Sequence, residues 1–61
     1  MHKTYELYLR FPDGRVSFEP LTHRGPLAEV MGLARQVLME RKAESLELRL
    51  GGALTMTIEA P

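Results

Sequence analysis

Residues 46–60 read LELRLGGALTMTIEA, with an apolar side chain at nearly every second position. Leu46, Leu48, Leu50, Leu54, Met56 and Ile58 fall on one side, and Glu47, Arg49, Thr55, Thr57 and Glu59 on the other. Period two is the repeat of a half-buried strand. Gly51-Gly52, at the centre, suits the positive φ angles of a tight hairpin turn. A hairpin with one oily face does not hold its shape alone in water; it needs more strands and a cover. This requirement limits the folds open to the chain.

The rest of the chain supplies both. Tyr5, Leu7, Leu9 and Phe11 alternate with Glu6, Tyr8 and Arg10, so a strand is expected there too. Pro12-Asp13-Gly14 is turn chemistry, because proline presets its φ and glycine accepts a positive one. Val16 and Phe18 are expected to resume the apolar face, with Arg15, Ser17 and Glu19 opposite. Residues 4–19 therefore read as a hairpin, closed by Pro20, which has no N–H for the ladder.

Between the hairpins the period changes. Leu27, Val30, Met31, Ala34, Val37 and Leu38 recur at three- and four-residue spacing, which makes one apolar helical stripe. The helix is expected over residues 26–42. Gly25 would be its N-cap, Pro26 would occupy the first turn, and Glu29 would face the positive end of the dipole. Arg41 and Lys42 complement the other end. The expected fold is a single α+β domain over residues 1–61, a two-layer ββαββ arrangement. In it one helix packs on one face of a four-stranded antiparallel sheet. A right-handed crossover gives the strand order 2-1-3-4, and the order 1-2-4-3 is antiparallel throughout as well.

Length and composition narrow the functional classes. A chain of 61 residues is marginal as a lone core, and small domains commonly add a disulfide, a metal or a partner. There is no cysteine, and only His2 and His23 could serve as imidazole ligands. Neither a metal nor a cofactor is expected, which leaves tight packing or association. Eight Lys and Arg balance eight Asp and Glu, so no long-range field draws nucleic acid or an anionic membrane. No apolar run approaches the ~20 residues of a membrane span, and the first residues lack a signal-peptide core. A soluble, cytoplasmic protein is the expectation.

Two surfaces are candidates for binding. The polar sheet face is expected to show Glu6, Tyr8, Arg10, Arg15, Ser17, Glu19, Glu47, Arg49, Thr55, Thr57 and Glu59. Tyr8 could stack a base while Arg10, Arg15 and Arg49 meet phosphates. Against this, Glu6, Glu19, Glu47 and Glu59 share the face, and a solvated surface with cross-strand ion pairs is favoured. Leu33 and Met39 lie at or beyond the margins of the helical stripe and are candidates for contact with a protein partner or second subunit. His23 and Arg24 precede the helix, where an anion could sit, but an ordinary loop is favoured. No catalytic residues are expected, since Ser17 and Ser45 have no histidine and carboxylate at recognisable spacing.

The stretches YELYLRFPDGRVSF, AEVMGLARQVL and SLELRLGGALTMTI together resemble a group of short, uncharacterised bacterial proteins of strand-strand-helix-strand-strand type. That resemblance implies the fold and no activity. Residues 16–38, VSFEPLTHRGPLAEVMGLARQVL, are similar to the strand-to-helix passage of HicB-type antitoxin domains, with Thr22, Gly25 and Glu29 at the matching positions. The acidic, glycine-containing loop and third strand expected there before the helix are missing, and these residues include no DNA-binding tail. The functional expectation is a small, non-enzymatic protein-interaction module that self-associates or docks on a partner. The alternative is a nucleic-acid-binding or toxin-linked regulator using the polar sheet face.

Overall fold

The computed structural model describes residues 2–61. Its elements are β1 (Lys3–Arg10), β2 (Val16–His23), α1 (Leu27–Arg41), β3 (Ser45–Leu50) and β4 (Ala53–Glu59). The strands form one sheet in the order β2-β1-β3-β4, antiparallel at every step. The helix covers one face of it, which is the expected two-layer α+β architecture with the first of the two strand orders.

The core consists of Tyr5, Leu7 and Leu9 from β1, Leu46 and Leu48 from β3, Ile58 from β4, and Val30, Ala34 and Leu38 from the helix. The three helical residues are spaced by four, so they form one line along the axis. Ala43 is buried just beyond the helix. Lys42 turns the chain there in the left-handed conformation, with φ 59°. The Ala43 N–H donates to the Leu38 carbonyl (3.1 Å), which closes the helix end. The N-cap is Pro26 rather than Gly25, and no side chain caps the helix start. Pro26 instead contributes its carbonyl, which accepts from Glu29 N–H at 3.0 Å.

Two expectations about facing are overturned, each by a register effect. The first turn is a three-residue loop. The Gly14 N–H donates to the Phe11 carbonyl (2.9 Å), the Phe11 N–H donates to the Arg15 carbonyl (2.9 Å), and Gly14 has φ 90°. That is a type I turn closed by a left-handed glycine. It pairs Arg10 with Val16, Leu9 with Ser17, Tyr8 with Phe18 and Leu7 with Glu19. Paired residues share a face, so Val16 and Phe18 emerge on the outer face beside Tyr8, while Ser17 and Glu19 turn towards the helix. Strand β2 also runs through Pro20 instead of stopping there; as an edge strand it has no outer neighbour requiring the missing N–H.

The second effect lies in β4. Gly51 and Gly52, at φ 61° and 82°, form the two-residue turn. They pair Leu50 with Ala53 and Arg49 with Leu54. A bulge then intervenes, because Leu48 pairs with Met56 and Thr55 is the extra residue. Met56 and Ile58 therefore face the helix as expected, but Leu54 is thrown to the outer face and is 56% exposed.

Leu48→Ala is expected to lose about 2–5 kcal/mol of stability through the cavity it leaves. Leu54→Ala should stay within about 0.5 kcal/mol. Urea unfolding of the two variants separates these outcomes, and equal losses would contradict the bulge.

Candidate functional site

The outer face of the sheet is read row by row across the strands. The first row is Val16, Arg10, Ser45 and Glu59. The second is Phe18, Tyr8, Glu47 and Thr57, and the third is Pro20, Glu6, Arg49 and Leu54. Apolar groups thus occupy the β2 side, with Leu54 isolated on the β4 side, and charged groups fill the centre.

Tyr8 and Phe18 are directly paired across β1 and β2, their ring centroids 5.3 Å apart and their planes tilted by 55°. This is a favourable aromatic geometry. Phe18 remains 55% exposed and Val16 60%. On the other flank of Tyr8 the Arg49 guanidinium lies 5.3 Å from the ring centroid. Arg49 also donates to Glu47 from Nε (3.1 Å) and Nη2 (2.7 Å). These hydrogen bonds, and then the attraction of the Glu47 charge, raise the Arg49 pKa above its already basic value. Glu6 accepts from the Gly52 N–H at 3.1 Å and so braces the second turn. A depression of about 460 Å³ lies over part of this surface, lined by Tyr8, Arg10, Val16, Ser45, Glu47, Arg49 and Thr57.

The structure therefore brings together Tyr8, Arg10 and Arg49 of the expected polar surface. Arg15 does not join them, which corrects the expected face. Its Nε donates to Asp13 Oδ2 (2.8 Å), and its guanidinium stacks over Phe11 at 4.6 Å, on the core side of the turn. Those bonds, first the Arg15 N–H and then its side chain, hold the Asp13 carboxyl below the ordinary range.

Ser17 and Glu19 are also absent from this face. Glu19 accepts from Arg41 Nη2 (2.7 Å) and ties β2 to the helix end. His23 Nε2 lies 2.9 Å from Glu29 Oε1, which ties β2 to the helix start. Gly25 makes room for that second tie, since a Cβ there would press on Glu29 Oε1 and His23 Nε2. Because His23 is engaged by the first helical turn, it does not reach the outer face.

Leu33 and Met39 do not form one patch. Leu33 is half-buried and Met39 is exposed. At 3.6 residues per turn, positions 33 and 39 point about 120° apart around the helix.

Sequence pattern alone missed Phe18, Val16 and Leu54 as surface residues. A signal for the first two exists in Pro12-Asp13-Gly14, because a three-residue loop closed by glycine implies the observed parity. Nothing comparable marks Thr55. Among the described residues no group of three or more His, Asp or Glu is placed to hold a metal ion. No helix among the described residues is long and apolar enough to cross a membrane. Compared with known proteins, the chain matches no family model, no curated protein and no solved structure.

Two predictions follow from this geometry. Phe18→Ser should lose no more than about 1.5 kcal/mol, the scale of an exposed aromatic pair, against about 3–5 kcal/mol for truncating a core phenylalanine; thermal unfolding decides. Because the folded-state pKa of Asp13 is lowered, its contribution is present above the unfolded value of about 3.9 and is lost as pH falls through the folded one. Asp13→Asn should therefore flatten the acid limb of the stability curve.

Proposed function

We propose that this protein is a small, non-enzymatic interaction module whose outer sheet face binds protein. The single observation that carries this reading is the pairing of half-buried Tyr8 with exposed Phe18, flanked by Val16 and by the Arg49 guanidinium. Tyrosine, phenylalanine and arginine are the side chains enriched where protein surfaces meet. The arginines of the face, Arg10 and Arg49, are outnumbered by Glu6, Glu47 and Glu59. This favours a protein partner over a polyanion, whose capture needs an excess of positive charge.

The face also competes with two other routes to association. Strand addition at a sheet edge is opposed on both sides, by Pro20 in β2 and by the Thr55 bulge in β4. The helix exterior offers Met39 and Leu33 on separate flanks rather than one surface. A cytoplasmic setting suits a chain without cysteine.

The test uses a tagged copy of the protein as bait in cells that also make an untagged copy. Proteins retained by the wild type should be lost with Phe18→Glu and kept with Met39→Glu. The reverse pattern moves the binding surface to the helix. Retention of neither a second copy nor any other protein overturns the reading.

A further inference from the structure

We infer that the occupant of the outer face is a second copy of this chain, packed sheet against sheet about a twofold axis parallel to the strands. The inference rests on the proposed role of that face and adds the identity and the geometry of the partner.

The three rows of the face are self-complementary under this one operation. A twofold axis lying between the sheets and along the strands, between β1 and β3, keeps each row level and reverses its order. In the third row, Pro20, Glu6, Arg49 and Leu54 then meet Leu54, Arg49, Glu6 and Pro20 of the partner copy. Each Glu6 lies over an Arg49, and each exposed Leu54 over a proline. Glu6 uses Oε1 on Gly52, which leaves its second oxygen for the partner's guanidinium. In the second row Phe18 covers Thr57, and Tyr8 faces Glu47. Arg10 stands over Ser45, one row from the same Glu47. Glu6 and Arg49 meet twice across the seam, Val16 lies over Glu59 at its rim, and no carboxylate faces a carboxylate.

A twofold axis across the strands at the level of the second row instead maps that row onto itself. That would place Glu47 directly against Glu47, which costs energy in a desolvated seam. The strand-parallel axis avoids that contact and sets each Glu6 over an Arg49, with the isologous contacts of symmetric dimers and aligned sheet packing.

The scale fits a weak dimer. Strands about 4.8 Å apart, rising about 3.4 Å per residue, make a face on the order of 400 Å² in plan. Side-chain relief on two such faces brings the buried area towards the ~1,200 Å² at which specific interfaces begin. A chain of 61 residues has reason to gain from that burial.

The absence of cysteine makes the geometry directly testable. Sedimentation over a concentration series should show a monomer–dimer equilibrium. Phe18→Glu should raise the dissociation constant at least about tenfold, with the circular dichroism of the fold retained. Met39→Glu should leave the constant unchanged. Chains carrying Pro20→Cys should form disulfides with chains carrying Leu54→Cys under mild oxidation, and far less with one another. Cross-linking among Pro20→Cys chains in preference to the mixed pair would overturn the proposed axis. A monomer throughout the concentration series, in a protein that still retains a different partner through Phe18, overturns the second copy as occupant and leaves the interaction face standing.

Discussion

The length of the first turn controls what this protein shows to its surroundings. A hairpin loop with an odd number of residues pairs odd positions with odd ones, and an even loop pairs odd with even. Here Pro12, Asp13 and Gly14 make the loop odd, and the left-handed glycine makes that loop comfortable. Every side chain of β2 is placed by this choice. Phe18 and Val16 become surface, Glu19 and His23 become the links to the helix, and Leu21 alone of the β2 side chains adds apolar bulk beside the core. The Asp13–Arg15 hydrogen bonds add to the turn from outside the ladder.

This arrangement divides the sheet into two zones with different adhesion. Strands β1 and β3 carry the leucines and lie against the helix, and hydrophobic burial holds them. The inner side of β2 is mostly polar. It is joined to the domain by its ladder with β1 and by two polar links at opposite ends of the helix, Glu19–Arg41 and His23–Glu29. Exposed pairs of this kind contribute little energy. Their contribution is orientation: one at each end sets the direction of the helix relative to the edge strand.

Much of the fold was legible in the residues themselves. The period of two in YELYLRF and LELRL and the period of three and four in residues 27–38 locate the strands and the helix, while the choice between the orders 2-1-3-4 and 1-2-4-3 is made only by the pairing of β1 with β3. What periodicity does not convey is phase across a turn. Val16 and Phe18 alternate as faultlessly as Leu7 and Leu9, yet belong to the other face, because alternation is blind to the number of residues in the connecting loop. Leu54 shows the same blindness at a bulge: the pattern LTMTI is unbroken in sequence, while the backbone skips a step at Thr55. The candidate surface was accordingly legible in its charges, Arg10, Arg49 and Glu47, and hidden in its apolar part.

Pro20 and Thr55 bear on how the molecule behaves when it is abundant. A four-stranded sheet has two rims, and each is an invitation to endless head-to-tail growth into a filament. One rim here has a missing donor and the other a break in its spacing. In the proposed dimer the contact falls instead on a broad surface that is used up once it is covered. Rims built in this way turn a sheet away from fibrous growth.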